Sequence, residues 1–250
     1  MEKMKFACII PARYASTRFP GKPLVKIGDK TMIQRVYEQA IKVLEHVYVA
    51  TDDDRIYHEV LRFGGRAVMT SDKHRSGTDR CYEAYTKLNQ YFDVVINIQG
   101  DEPFIQPGQI QTLMDCFTDE QTQIATLVRK VSPDDGIGFL VNPNHPKVVI
   151  NNQLEALLFS RAVIPYLRNV EVNDYLQHHA YYTHIGIYAY QTRVLERLVA
   201  LTPSSLELAE SLEQLRWLEN GYKIRVGFTT ERSIGIDTPD DLKEVEKLFS

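Results

Sequence analysis

Ile9-Ile10-Pro11-Ala12-Arg13-Tyr14-Ala15-Ser16-Thr17-Arg18-Phe19-Pro20-Gly21-Lys22-Pro23-Leu24 joins an apolar strand to a basic loop near the start of a 250-residue chain. The strand is expected over Phe6 to Ile10. It is expected to stop at Pro11, because a proline cannot donate to the ladder of a central strand. Beyond it, Arg13, Arg18 and Lys22 fall within ten residues of one another, with Ser16, Thr17 and Gly21 between them. Several cations, hydroxyl donors and a glycine that admits backbone N–H groups at close range are what a triphosphate requires around it. No Gly-x-x-x-x-Gly-Lys-Ser/Thr pattern is present, so this is not a Walker loop. A solvated basic loop would have the same composition. Position favours the ligand reading, since open α/β sheets bind their ligands at the carboxyl ends of strands.

Downstream, apolar strands alternate with amphipathic helices. Thr31 can cap a helix whose Met32, Ile33, Val36, Tyr37, Ala40, Ile41 and Leu44 recur at helical spacing. Val47-Tyr48-Val49-Ala50 is a second strand, and the acids Asp52, Asp53 and Asp54 after it suit the start of a helix over Asp54 to Phe63 better than a metal site. Ala67-Val68-Met69 is a third strand. A polar loop with Lys73, His74 and Arg75 then leads to Thr78 as the expected cap of the next helix. Arg80 in its first turn is misplaced for the helix dipole, which makes it a candidate for an anionic ligand or an ion pair with Asp79 or Glu83. Val94-Val95-Ile96-Asn97-Ile98 ends in Gln99-Gly100-Asp101-Glu102-Pro103. This alternation reads as a mostly parallel sheet with crossover helices.

After a helix over about Pro107 to Phe117, strands come in runs. Lys147-Val148-Val149-Ile150 and Ala156-Leu157-Leu158-Phe159, joined by Asn151-Asn152, are expected to form a hairpin. Ser132 to Pro146 and Tyr166 to Tyr181 are expected to be irregular. His184 to Tyr190 alternates as a strand, with His184, Gly186 and Tyr188 on the face away from the core. Helices over Thr192 to Leu201 and Ser205 to Asn220 follow. In the second, Glu207, Glu210, Gln214 and Trp217 form a stripe that is either a site or a solvated polar face. A last strand, Lys223 to Thr229, precedes Ile234-Gly235-Ile236-Asp237 and a helix opened by Thr238-Pro239 with acids in its first turn. Asp237 stands before the cap and is not accounted for by that helix start.

Composition narrows the class. Apolar residues make up 44% and charged residues 25% of the chain, which is ordinary for a globular protein. The net charge of -4 argues against a general nucleic-acid binder, so an anion site must be a local concentration of cations. Cys8, Cys81 and Cys116 lack metal-ligand spacing and read as reduced structural thiols. No secretory leader and no membrane-length apolar run is visible, and a soluble cytoplasmic protein is expected.

Arg-Tyr-x-Ser-Thr-Arg-x-Pro-Gly-Lys-Pro-Leu at residues 13–24 resembles the signature of sugar nucleotidyltransferases, and within them of the CMP-Kdo synthetases (3-deoxy-manno-octulosonate cytidylyltransferases). The likeness continues in order through Ala50-Thr51-Asp52, Ser76-Gly77-Thr78-Asp79-Arg80, Asn97 to Pro103, Phe159-Ser160-Arg161-Ala162, His184 to Tyr188, Leu212 to Arg216 and Gly235 to Pro239. It implies an α/β fold, with a mostly parallel Rossmann-like nucleotide-binding sheet and a smaller mixed-sheet region for sugar binding and dimerisation. Residues 1–250 would be one nucleotidyltransferase domain. In it, 1–131 would mainly bind nucleotide, 132–220 mainly bind sugar and dimerise, and 221–250 would return to the main sheet.

The resemblance also implies roles. Arg13, Ser16, Thr17, Arg18 and Lys22, with Ser76, would surround CTP. Arg80, Gln99, Arg161, His184, Tyr188, Glu210 and Gln214 would surround Kdo. Asp101 and Asp237 would ligate Mg2+, and Arg13, Lys22, Asp101 and Asp237 would carry catalysis. The implied reaction is direct attack of the Kdo anomeric hydroxyl on the α-phosphate, giving CMP-Kdo and pyrophosphate for lipopolysaccharide assembly, in a homodimer. Two departures stand out: Asp79 occupies a place where glutamate is common, and His178 to Thr183 has no clear counterpart. The residues leave open a cytidylyltransferase for another sugar acid, such as a sialic acid or an amino analogue of Kdo. They also leave open a nucleotide-binding regulator without turnover.

Overall fold

The computed structural model describes residues 4–15, 19–232, 235–236 and 238–246, without the side chains of 244–246. Ser16, Thr17, Arg18 and Asp237 lie outside the described residues. The chain divides into two compact units, 1–111 with 187–199 and 233–250, and 112–186 with 200–232.

The first unit contains β1 (Phe6–Ala12), the short pair β2 (Lys26–Ile27) and β3 (Lys30–Thr31), α1 (Met32–Ala40), β4 (Val47–Thr51), α2 (Asp54–Arg62), β5 (Ala67–Met69), α3 (Gly77–Thr86), β6 (Val94–Asn97) and the first part of α4 (Pro107–Asp115). β1 pairs in parallel with β4 on one side and β6 on the other, and β4 pairs in parallel with β5. The later part of the strand Tyr182–Gln191 runs antiparallel along β6, placing Tyr188 opposite Asn97. Strands buried on both faces read as continuous apolar runs, and Ala7 to Ile10, Val94 to Ile96 and Val49-Ala50 have no exposed surface. After β1 the chain moves outward through β4 to β5, then returns to β6 on the other flank of β1. The carboxyl ends of β1 and β6 therefore mark the topological switch point.

β1 does not stop at Pro11. It runs to Ala12, with Pro11 opposite Ala50. The Ile9 carbonyl accepts from the Ile98 N–H on the β6 edge. Two residues later Pro11 turns its missing donor to that same edge, where β6 has already ended at Asn97. α2 begins as expected. Asp53 is its cap, accepting from the Arg55 N–H at 2.9 Å, a contact typically worth about 1 kcal/mol.

The second unit contains β7 (Ile124–Lys130), α5 (Gly136–Val141), β8 (Lys147–Ile150), β9 (Ala156–Ser160), α6 (Tyr175–His178), and the first part of β10 (Tyr182–Gln191). α7 (Thr192–Val199) belongs to the first unit. α8 (Ser205–Glu210), α9 (Gln214–Glu219) and β11 (Ile224–Thr229) return to the second, and α10 (Pro239–Glu246) belongs to the first. β7 and β11 are parallel, and β8 and β9 form the expected antiparallel hairpin. This unit therefore mixes parallel and antiparallel pairings, whereas β1, β4, β5 and β6 pair only in parallel with one another.

Two expectations are corrected. Residues 132–146 are not irregular throughout, because Ser132 and Asp135 form a capping box and Leu140 of α5 is buried with Val131, Tyr175 and Tyr181. The helix expected over Ser205 to Asn220 is two helices, broken at Ser211, whose φ of 51° is left-handed. Arg161 supplies the cause: its Nε donates to the Glu210 carbonyl at 2.7 Å and its Nη2 to the Ser211 carbonyl at 3.3 Å. Those acceptors end α8 by bonding a side chain from outside it.

Candidate active site

A cavity of about 200 Å³ opens at the switch point of the first unit. Pro11, Ala12 and Arg13 from the end of β1 line it, with Lys22 and Pro23, and with Gln99, Gly100 and Asp101 beyond β6. His74, Arg75, Ser76, Gly77 and Arg80 complete it around the start of α3. The two strand ends approach so closely that a Cβ on Gly100 would lie 2.9 Å from the Pro11 carbonyl oxygen. Only glycine fits there.

Lys22 and Asp101 meet in this cavity, Nζ to Oδ2 at 2.6 Å. The pair is only partly buried, with Lys22 13% and Asp101 31% exposed. It is worth at most about 1 kcal/mol to folding. Arg13 is exposed at the rim. Ser76, not Thr78, caps α3, its Oγ accepting from the Asp79 N–H at 3.1 Å. The cap thus sits where backbone N–H groups and the helix dipole favour an anion. Gln99 packs against Gly77, where a Cβ would lie 3.1 Å from its side-chain amide, and it donates to Asn97 Oδ1 at 3.0 Å.

Arg80 requires a correction. It lines the cavity, yet its side chain is 4% exposed, and its guanidinium binds Asp52 at 2.9 Å and the Thr70 hydroxyl at 2.7 Å. Asp52 lies 28 residues upstream, so neither Asp79 nor Glu83 is the partner. Glu83 instead ties down the loop before α3. It accepts from His74, from the Ser71 N–H and from Lys87. Burial acts to raise the Glu83 carboxyl, but these hydrogen bonds outweigh it and hold it at about 2. His74 and Arg75, absent from the expected site, are cavity residues, and the basic polar loop of 70–77 was the signal for them.

Tyr188 is also corrected. It is 7% exposed and belongs to the core of the first unit, its ring stacked 5.9 Å from that of Tyr190. The strand face taken as opposite the core is itself covered there.

In the second unit Glu210 and Arg161 are brought together. The Glu210 carboxylate accepts from the Ser160 hydroxyl at 2.6 Å and the Arg161 N–H at 2.8 Å. Arg161 Nη1 adds a bond to the Pro143 carbonyl, so its guanidinium serves three backbone carbonyls. Burial acts to raise the Glu210 carboxyl, and the hydrogen bonds from Ser160 and Arg161 bring it below its ordinary value. Gln214 is not one turn further along the same helix, since the break at Ser211 intervenes. It is 4% exposed and its Nε2 has no hydrogen-bond partner among the described residues. His184 shares a 3.0 Å hydrogen bond between Nε2 and the Thr126 hydroxyl, with the Phe159 ring edge-on at 5.2 Å. Desolvation by this packing pushes its imidazole down to about 3, so it is neutral near pH 7.

A family model described as cytidylyltransferase matches residues 7–224. The chain belongs to the cytidylyltransferase family. A 3-deoxy-manno-octulosonate cytidylyltransferase of Bacteroides thetaiotaomicron is 62% identical over 98% of both chains. One of Parabacteroides distasonis is 61% identical over 96% of both. Among solved structures, a CMP:2-keto-3-deoxy-manno-octonic acid synthetase complexed with CTP is 43% identical over 98% of both chains, with a TM-score of 0.89. This chain is accordingly a nucleotidyltransferase with an α/β fold built on a mostly parallel sheet.

Among the described residues of this cytidylyltransferase, no group of three or more His, Cys, Asp and Glu side chains is placed to hold a metal ion. Asp101 alone of the described carboxylates lines the cavity. That suits Mg2+, which takes one or two protein carboxylates and fills its octahedron with phosphate oxygens and water. The Ile236 N–H donates to the Asp101 carbonyl at 3.1 Å. No helix among the described residues is long and apolar enough to cross a membrane.

Proposed function

We propose that this chain joins CTP and 3-deoxy-D-manno-octulosonate (Kdo), giving CMP-Kdo and pyrophosphate. The observation that carries the reading is the meeting of Lys22 with Asp101, beside Arg13 and the cap of α3, in a cavity at the switch point. Relatives named for this reaction, similar over nearly the whole chain, support the choice of substrates.

The chemical difficulty is electrostatic. Two anionic reactants must approach, and pyrophosphate must leave with its charge stabilised. Arg13 and Lys22 supply positive charge at the strand ends, with Arg18 in the same loop of the sequence. Ser76 and the first N–H groups of α3 offer donors to phosphate oxygens. The Kdo anomeric hydroxyl oxygen attacks the α-phosphorus and releases its proton to water, the bond to the bridging oxygen of the β-phosphate breaks, and pyrophosphate departs in line. Asp101 and Asp237 would hold Mg2+, which when bound neutralises phosphate charge and polarises the reacting phosphoryl group.

The sugar set divides by what each residue has left to give. Gln214 retains a buried amide donor for a hydroxyl, whereas the neutral His184 already shares its Nε2 with Thr126. Glu210 and Arg161 hold one another and shape the unit around them. Residues 132–220 would bind sugar and form a homodimer, for which exposed Leu157, Leu158 and Leu208 supply apolar surface. The product would feed lipopolysaccharide assembly from the cytoplasm.

The test is pyrophosphate release and CMP-sugar formation from CTP and Mg2+ with Kdo, an amino analogue of Kdo, or N-acetylneuraminate at equal concentration. Kdo is expected to be preferred. Preference for N-acetylneuraminate would overturn the substrate, and CTP binding without turnover of any sugar acid would favour a regulator.

A further inference from the structure

Arg13 and Lys22, the two described cations of the nucleotide loop, stand next in sequence to Tyr14 and Gly21, and those two neighbours close the loop on itself. The Gly21 N–H donates to the Tyr14 carbonyl at 2.9 Å. Gly21 has φ of 71°, and a Cβ there would lie 3.1 to 3.2 Å from Cε2, Cζ and Oη of the Tyr14 ring. The ring therefore packs against the bare backbone of Gly21, in a conformation that L side chains rarely adopt. Tyr14 does not line the cavity; the cations on either side of the closure do.

The Tyr14 ring is held from the other element of this unit that reaches it. The Arg55 guanidinium carbon sits 3.3 Å from the ring centroid. Arg55 is itself fixed by Asp53, which accepts from Nε at 2.9 Å and Nη2 at 2.6 Å while also capping α2 through the Arg55 N–H. A planar cation gripped at two nitrogens loses little further freedom when it stacks. The contacts thus run without a gap from the start of α2 through Asp53, Arg55 and Tyr14 to Gly21, the residue before Lys22.

We propose that Arg55 and Tyr14, with Asp53 behind them, form a brace that sets the positions of Arg13-Tyr14 and Gly21-Lys22 relative to one another. They act as positioning residues for the CTP phosphates through Arg13 and Lys22. The ligand part of this claim rests on the nucleotide reading above; the loop part does not. Catalytic groups misplaced by as little as an ångström lose rate by up to about a hundredfold, so a brace outside the cavity can matter as much as a contact within it.

The experiment compares the parent chain with Arg55→Met, which keeps an apolar stem but no guanidinium, Tyr14→Leu and Tyr14→Phe. Amide exchange at Gly21 is read by NMR without nucleotide, CTP affinity by calorimetry, and KM for CTP and for the sugar acid separately. Arg55→Met and Tyr14→Leu are expected to speed Gly21 exchange about tenfold. They are also expected to weaken CTP on the order of tenfold, leaving the sugar-acid KM within about twofold. Tyr14→Phe is expected to keep the parental values, because the ring is retained. Unchanged Gly21 exchange in Arg55→Met would overturn the brace, and so would equal losses for both substrates accompanied by a fall in Tm. Faster Gly21 exchange in Arg55→Met and Tyr14→Leu, in a series whose parent binds no CTP, would instead refute the nucleotide reading and support the loop brace.

Discussion

The cavity of the first unit and the Ser160–Arg161–Glu210 cluster of the second each pair a carboxylate with basic side chains and treat their polar groups differently. In the cluster, one carboxylate takes a hydroxyl and a backbone N–H, and one guanidinium takes three carbonyls. Its hydrogen-bonding capacity goes into holding β9 to the end of α8. In the cavity, Lys22 and Asp101 form a partly buried pair beside an exposed Arg13. A pair of that kind contributes little to folding and exchanges readily for a ligand. The contrast motivates the proposal that Lys22, Asp101 and Arg13 act on substrates while Arg161 and Glu210 shape the protein, although family likeness alone would group all five together.

Four substitutions press on this contrast. The largest effect is expected for Asp101→Asn, which keeps size but loses the charge that binds Lys22 and would bind Mg2+. Turnover should fall by roughly a thousandfold or more, with Tm nearly unchanged. Near-normal turnover across a Mg2+ titration would remove Asp101 from the chemistry. Lys22→Ala comes next, with kcat/KM for CTP down about a hundredfold in a protein of parental stability. Unaltered CTP kinetics in the folded variant would place the nucleotide elsewhere.

Glu210→Ala should behave in the opposite way. It leaves the buried Ser160 hydroxyl and the Arg161 N–H without their acceptor, at a cost of about 1 to 3 kcal/mol. Denaturant unfolding should show that loss. A variant of unchanged stability that nonetheless lost sugar turnover would move Glu210 from the shaping class to the acting one.

The smallest effect concerns pH. His184 has its imidazole at about 3 when folded, against an ordinary value of 6.5. Between those values the unfolded chain binds the extra proton, so stability rises with pH through this window and is lost on acidification below about 6.5. His145, also lowered chiefly by burial, acts in the same sense. His184→Asn should flatten the stability profile between about pH 4.5 and 6.5, above the range where carboxylates such as Glu83 titrate. An identical profile would show that His184 is solvated enough to charge in the fold.

The parallel sheet was legible because its strands are buried on both faces and bounded by polar turns. The error at Pro11 came from treating β1 as central along its whole length, whereas β6 ends two residues earlier on the relevant edge. The break at Ser211 was not legible, because helical periodicity of apolar residues continues through it and the competing donor, Arg161, lies 50 residues away. The same separation hid the fate of Arg80, whose partner Asp52 sits at the end of another strand. Basic composition exposed the loop of Arg13 and Lys22. It did not reveal Tyr14 and Arg55, since a stacked pair has no local pattern.

The central claim is that the cavity at the ends of β1 and β6 takes CTP. A crystal structure with CTP and Mg2+ tests it most directly. The account predicts the triphosphate between Arg13 and Lys22, with the metal on Asp101 and the start of α3 facing the phosphates. Nucleotide bound away from these residues, or metal density with no contact to Asp101, would contradict it.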